Sequence, residues 1–360
     1  MAAPFELMVP DGLEQVAYRY DEATGLRAIV AIHSTVLGPG LGGTRFWPYP
    51  SEADALADVC RLAKGMTYKH AAAGLDRGGG KAVIIGDPRR LRTDELIRAY
   101  GRFIDGLAGR YLTAEDVGTT QDDMDLLRTV TPFVTGTSEH LGGSGDPSPA
   151  TAIGVHAAIE AVAERLWGSG SLAGRHVCIS GVGKVGAALA DQLHADGARL
   201  TVADVSPSAV AAVVERTGAA VVEPDRAHTV ACDVFSPCAL GGVLSSRTVP
   251  ELRCTAVVGS ANNQLATPAD GDALDARGVV YVPDYVANAG GVINISFETS
   301  TGYDRAAAHA RVRGIAATVT AVLDRAAADG ITTTVAADRL AEARLEAGRH
   351  RALTVGSPNE

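Results

Sequence analysis

Six residues, Gly181-Val182-Gly183-Lys184-Val185-Gly186, stand between an apolar run at 176–180 and a helix-forming run that continues to Ala195. A GxGxxG pattern with a strand before it and a helix after it constrains the fold strongly. Gly181 permits a tight turn, Gly183 lets the backbone approach a pyrophosphate, and Gly186 lets helix and strand pack closely. The helix start, through Lys184 and Val185, offers unpaired N–H groups and positive potential to phosphates. Asp204 ends the next strand-like run, 23 residues after Gly181. A carboxylate there accepts hydrogen bonds from ribose hydroxyls and repels a 2′-phosphate. The expected ligand is a dinucleotide, NAD rather than NADP.

Around this loop, strand signals (176–180, 199–202, 231–235, 256–259, 279–282) alternate with helix signals (150–167, 183–195, 206–217). Such alternation predicts a parallel sheet covered on both faces. The first third also alternates. A strand at 26–33 leads into a glycine-rich loop at 38–43, and Ser51 opens a helix whose buried stripe is Leu56, Val59, Cys60, Ala63 and Met66. Lys81–Ile85 reads as a short buried strand, Thr93 caps a helix, and 111–114 reads as another strand. A Gly/Ser/Thr/Pro-rich stretch at 136–149 is the best boundary signal, and 360 residues are too many for one core. The expected division is 1–140, 141–330 and a C-terminal helical tail, 331–360, returning to the first domain.

Composition excludes several classes. A net charge of −10 leaves no broad basic face for nucleic acid or an anionic membrane. No apolar stretch reaches the ~20 residues of a membrane span. The five cysteines (60, 178, 232, 238, 254) form no CxxC pair, and the first ten residues lack a basic leader. A soluble cytoplasmic protein with reduced thiols is expected. The nine histidines lack ligand spacing, so no metal is expected.

Two lysines stand apart, Lys69 in Gly65-Met66-Thr67-Tyr68-Lys69 and Lys81 after Gly78-Gly79-Gly80. Lysines in apolar surroundings are uncommon. Two ammonium groups sharing a cleft repel, so one gives up its proton more readily and can act as a base while the other binds a carboxylate. On the residues alone this reading stands beside that of two ordinary surface lysines.

Leu75-x-x-Gly78-Gly79-Gly80-Lys81, running on to Asp87-Pro88, resembles the active-site signature of the glutamate/leucine/phenylalanine/valine dehydrogenase family. So do Gly42-Gly43-Thr44-Arg45, Thr113-Ala114-Glu115-Asp116-Val117-Gly118, Ser236-Pro237-Cys238-Ala239-Leu240-Gly241, Ala261-Asn262-Asn263-Gln264 and Asn288-Ala289-Gly290-Gly291. They occur in the family's order over nearly the whole chain, most like its leucine and valine branches. The resemblance implies an α/β protein of two domains separated by a cleft. The N-terminal one would bind substrate and oligomerise, and the other would be a doubly wound, Rossmann-type NAD domain. It further implies that Lys69 grips the substrate α-carboxylate, Lys81 is the general acid/base, and Asp116 shuttles a proton at the amino group. Asn262 would hold nicotinamide and substrate, and Thr151 the carboxamide. Gly42 and Gly43 would line the substrate, and Cys238, Ala239 and Ala261 the cofactor. The implied reaction is reversible oxidative deamination of an amino acid to a 2-oxo acid and ammonia.

Positions matching the family's side-chain pocket are Leu41, Ala114, Val292 and Ile295, all apolar. None could pair a second carboxylate, which excludes glutamate. Leu41 and Ile295 favour a branched-chain substrate, and the runs Ile32-His33-Ser34 and Phe46-Trp47-Pro48-Tyr49, which most resemble those of the valine enzymes, put valine first. A phenylalanine- or tryptophan-preferring enzyme is the alternative, and a non-enzymatic NAD-sensing protein a more remote one. Two positions depart from the family: His70, where relatives often carry asparagine, and Ser296-Phe297-Glu298.

Overall fold

The computed structural model describes residues 4–299 and 302–355. The chain forms two compact units. One comprises Met1–Asp146, Ile295–Arg305 and Ala341–Glu360, the other Pro147–Asn294 and Ala306–Leu340. This partition differs from the expected 1–140, 141–330 and 331–360 in three ways: the first boundary follows 146, the tail rejoins the first unit at 341, and a short segment, 295–305, belongs to the first unit. No local pattern marks that segment, because its membership rests on contacts with residues far away in sequence.

The first unit holds a five-stranded sheet: β1 (Gln15–Asp21), β2 (Leu26–Ser34), β3 (Gly40–Trp47), β4 (Gly78–Ile85) and β5 (Tyr111–Glu115), in spatial order β1-β2-β4-β3-β5. β2 pairs antiparallel with both β1 and β4, while β3 runs parallel to both its neighbours, β4 and β5. Helices α1 (Pro4–Asp11), α2 (Glu52–Ala72), α3 (Pro88–Leu91), α4 (Asp94–Asp105) and α5 (Gln121–Arg128) complete it. Ile29, Ala31 and Val83 pack with Ala55, Val59 and Ala63 of α2 on one face. Ala28, Val30, Ala82 and Ile84 pack with Leu96, Tyr100 and Ile104 of α4 and Met124 and Leu127 of α5 on the other. The caps foreseen at Ser51 and Thr93 are present, each side chain accepting from the backbone N–H three residues on.

The glycine-rich stretch at 38–43, expected as a loop, is mostly strand, and the glycines at 78–80 lie in a strand as well. Gly40 to Gly43 begin β3, and Gly78 to Gly80 begin β4. The reason is close approach. A Cβ on Gly42 would lie 1.9 Å from Gly80 O, and one on Gly79 would lie 2.0 Å from Thr67 Oγ1 of α2. No side chain fits there, so glycine is what lets the strands and α2 meet.

The second unit carries a six-stranded sheet: β6 (His176–Ser180), β7 (Arg199–Ala203), β8 (Ala220–Val221), β9 (Cys232–Pro237), β10 (Cys254–Val257) and β11 (Val280–Tyr281). The order is β11-β10-β9-β6-β7-β8, with every pair parallel. Counted from β6 as first, this is 3-2-1-4-5-6, the Rossmann arrangement of a doubly wound sheet. The helices α6 (Ser148–Trp167), α7 (Lys184–Ala195) and α8 (Pro207–Thr217) lie where the periodicity placed them. Among the described residues no helix is long and apolar enough to cross a membrane. His156 lies 2.5 Å from Asp196 and 3.5 Å from Glu160, one turn further along α6, in an ion cluster at the surface.

Candidate active site

β4 and β5 are not neighbours, because β3 runs between them. Thr44 of β3 pairs with Ala82 on one side and with Glu115 on the other. The residues adjoining these, Lys81, Gly43 and Asp116, therefore fall on the opposite, α2-facing side of the sheet. There Lys81 Nζ lies 2.5 Å from Asp116 Oδ2. Gly43 is what allows this, since a Cβ on it would stand 2.8 Å from Asp116 Cβ and 2.5 Å from Glu115 O. Lys81 is buried, only 8% exposed.

The turn after β5 is held by Thr119. Its hydroxyl accepts from Asp116 N–H at 3.0 Å and lies 2.9 Å from Thr44 O as donor. Burial pushes the Asp116 carboxyl up, but Lys81 and then Arg45 outweigh that and hold it below the usual carboxylate range. The charge set against Lys81 is therefore a carboxylate.

Lys69 lies near the end of α2, half-buried, two residues beyond the Thr67 contact with Gly79. The following residue, His70, is fully buried, with Nδ1 2.8 Å from Gly78 O. Burial depresses its pKa to about 4. It is a neutral ring tying the end of α2 to the start of β4, and Nε2 has no hydrogen-bond partner.

Three of the four side-chain positions come together in the first unit. Leu41, Ala114 and Ile295 form one apolar cluster, with Leu112 packed against it. Leu41 and Ala114 are two residues before Gly43 and Asp116 on their strands, so they share the α2-facing side with Lys81. Val292 belongs to the second unit and is half-buried.

In the second unit, the strand order reverses between β6 and β9, the point where open α/β sheets take ligands beyond their C-terminal edge. Gly181 follows β6, and Cys238 and Ala239 follow β9. Gly181 has a φ of 102°, and a Cβ there would lie 2.6 Å from Ala239 N. Gly186 approaches Gly181 O so closely that a Cβ would sit at 2.0 Å, whereas a Cβ on Gly183 would point into open space. Gly183 is also the N-cap of α7 and supplies no side-chain cap, so the first turn of the helix opens onto that space. Val182 is buried, and its N–H donates to Asp204 Oδ2 at 2.8 Å, while Ser206 N–H donates to Oδ1 at 2.8 Å. Each oxygen keeps a second lone pair for a hydroxyl. This cradle fits a dinucleotide.

Thr151 is half-buried on the first turn of α6, its hydroxyl donating to Pro147 O at 3.0 Å. Asn262 is exposed, and its Oδ1 accepts from Asn288 Nδ2 at 2.9 Å. Ala261 is buried beside Gln264, whose amide donates to Gly259 O and Ala261 O and braces that loop.

The structure adds residues that spacing did not single out. Leu112 joins the apolar cluster. Glu298 accepts from Gly136 N–H at 3.0 Å, from Ser144 N–H at 2.8 Å and from Ser144 Oγ at 2.6 Å. It thereby fastens the stretch before the first change of unit to the segment bearing Ile295. An acid in an unfamiliar tripeptide was the only sequence signal for it.

A Rossmann-type unit beside an α/β unit with a buried lysine–carboxylate pair defines a two-domain dehydrogenase. Residues 11–132 match the model described as Glu/Leu/Phe/Val dehydrogenase, dimerisation domain. Residues 142–218 and 205–347 match that described as Glutamate/Leucine/Phenylalanine/Valine dehydrogenase. The chain belongs to this family of amino-acid dehydrogenases. It is 51% identical over 341 residues to leucine dehydrogenase of Bacillus cereus, covering 95% of this chain and 93% of that one. It is 49% identical over 343 residues to valine dehydrogenase of Streptomyces coelicolor, covering 94% of each. The crystal structure of L-tryptophan dehydrogenase from Nostoc punctiforme superposes with a TM-score of 0.85 at 42% identity, covering 96% of this chain and 99% of that one.

Proposed function

We propose that the protein oxidatively deaminates branched-chain L-amino acids, valine first and then leucine and isoleucine, with NAD as oxidant. The observation that carries this reading is the Lys81–Asp116 pair on the same sheet face as the Leu41/Ala114/Ile295 cluster. An aliphatic cluster welcomes a branched side chain and leaves a second carboxylate unpaired. The leucine and valine dehydrogenases among its relatives support the same substrate class.

Bound NAD supplies the acceptor for the hydride leaving the substrate α-carbon, which becomes an iminium carbon. Lys69 holds the α-carboxylate. Lys81 takes a proton from a water as its oxygen bonds to that carbon, forming a carbinolamine. The proton Lys81 has taken passes by way of Asp116 to the nitrogen, the C–N bond breaks, and loss of the hydroxyl proton to Lys81 leaves the 2-oxo acid and ammonia. A lysine beside a carboxylate suits a sequence in which protons move on and off both oxygen and nitrogen. On the nucleotide side, the turn Gly181–Gly186 and the start of α7 take the pyrophosphate, with Cys238, Ala239 and Ala261 around it. Asp204 takes the ribose, and Thr151 and Asn262 hold the nicotinamide end. We further infer a homo-oligomer, supported by the first unit's match to a dimerisation domain. The cysteines, all free thiols, fit a reducing compartment such as the cytoplasm.

The test follows NADH formation with valine, leucine, isoleucine, phenylalanine, tryptophan and glutamate in turn. The expected order puts the branched-chain substrates first and glutamate at background. A preference for phenylalanine or tryptophan would replace the substrate reading, and no NADH with any of them would remove the reaction itself.

A further inference from the structure

Arg45 shares the α2-facing side of β3 with Gly43 and stands next to Asp116. Its Nη1 lies 2.8 Å from Asp58 Oδ2 of α2, and its Nε lies 3.6 Å from Asp116 Oδ2. Asp58 is held in turn by Tyr49 OH at 2.6 Å and by Arg61 Nη2 at 2.7 Å. Arg45 Nε and Asp116 Oδ2 are both buried, and neither makes a well-directed hydrogen bond. The guanidinium is thus anchored at one end, while its free N–H is turned to the oxygen that faces Lys81.

We propose that Arg45 is a positioning residue for the deamination: anchored by Asp58, it fixes the Asp116 carboxylate against Lys81 and supplies the second positive charge of a three-member array. The proposal rests on the reading in which Lys81 and Asp116 exchange protons with the substrate. A carboxylate between two cations stays ionised in a buried site where desolvation alone would protonate it. Burial raises the Asp116 carboxyl, and Lys81, followed by Arg45, brings it down. The groups facing Asp116 are Lys81 from β4 and Arg45 from β3, with Tyr111 of β5 on the far side of the sheet. Behind Arg45 stand Asp58 from α2 and Tyr49, both of which draw on the same guanidinium.

Two substitutions on opposite sides of Arg45 have opposite signs. Arg45→Gln removes the cation, so the acidic limb of kcat/KM for valine deamination moves to higher pH, by about one unit for the loss of one nearby charge. Asp58→Asn removes the competing carboxylate and leaves Arg45 to Asp116, so the same limb moves to lower pH. Arg45→Lys, which keeps the charge, restores most of the shift seen with glutamine. NAD affinity, read by fluorescence titration of the full-length chain, is unchanged in all three. An Arg45→Gln enzyme with a lower kcat and an unmoved limb would show a merely structural arginine and overturn the proposal. Should that variant fail to fold, Asp58→Asn decides alone: a limb unmoved or displaced upward overturns it. Lys81→Ala separates the two levels. If that variant stays active, the proton-exchange reading falls; if it is inactive while the limb stays put in the Arg45 variants, only this inference falls.

Discussion

Lys81 Nζ and Asp116 Oδ2 meet at 2.5 Å although their strands are separated by a third, because the intervening strand carries glycine at position 43. The contact joins residues 35 positions apart in the chain and depends on three strands keeping their register. It places Lys81 against the Asp116 carboxyl in a largely buried setting and helps keep that carboxyl ionised.

Removing Lys81 should stop the chemistry and leave the nucleotide unit untouched. Lys81→Ala is expected to lower kcat by at least ~10²-fold, the scale of a lost general acid/base, with the Kd for NAD unchanged. Steady-state rates together with an NAD titration check this, and near-normal turnover would sink the assignment.

Gly43→Ala tests the crossing itself. The new methyl would meet Glu115 O and Asp116 Cβ well inside contact distance. The expected cost is about 1–3 kcal/mol of stability from overpacking. A fall in kcat exceeding that in a mutation elsewhere in β3 of equal stability cost is also expected. Denaturation midpoints and kcat measured on the same preparations decide it.

Asp204→Ser removes the carboxylate that holds Val182 N–H and that the proposed function assigns to the ribose. NAD should bind about tenfold more weakly, in keeping with loss of charge-assisted hydrogen bonds. Discrimination against NADP should narrow as the repulsion of a 2′-phosphate goes. Unchanged cofactor preference in paired kinetic assays would show that another residue reads the ribose.

His70 makes stability fall on acidification. Its ring takes up a proton near pH 6.5 when unfolded but only near pH 4 when buried in the fold. Between those values the unfolded chain binds more protons, so the neutral-pH stability is progressively lost as pH drops from 6.5 towards 4. The loss is on the order of 2–3 kcal/mol over that window. Urea midpoints for wild type and His70→Asn across pH 7 to 4.5 measure it, and the variant should show a smaller slope.

Glu298→Ala leaves the N–H groups of Gly136 and Ser144 without their acceptor. About 2 kcal/mol of stability should go, the cost of unsatisfied, partly buried donors. Because Ile295 sits three residues earlier in the same segment, the rate ratio of valine to phenylalanine should change as well. Thermal melts and a two-substrate assay read the two effects separately.

Much of this was legible without coordinates. The strand–GxGxxG–helix pattern around Gly181, the acid at 204 and the alternation beyond residue 150 each depend on local spacing, and local spacing survives in the fold. So do the caps at Ser51 and Thr93 and the apolar stripe of α2. The glycine runs misled for a definite reason: glycine marks both a flexible turn and a tight backbone approach. Only the neighbour, Gly80 for Gly42 or Thr67 for Gly79, tells which.

From the sequence alone come the residue types and their order: a nucleotide fold, two lysines, an aspartate, and apolar positions at 41, 114, 292 and 295. What the tertiary structure decided is who faces whom. It set Lys81 against the Asp116 carboxylate, made His70 a buried neutral ring, and returned residues 295–305 to the first unit beside Leu41 and Ala114. Strand order is the physical reason. The sequence of β3, β4 and β5 along the chain does not say that β3 lies between the other two. Which charges meet, and which glycine must be bare to let them meet, follows from that arrangement alone.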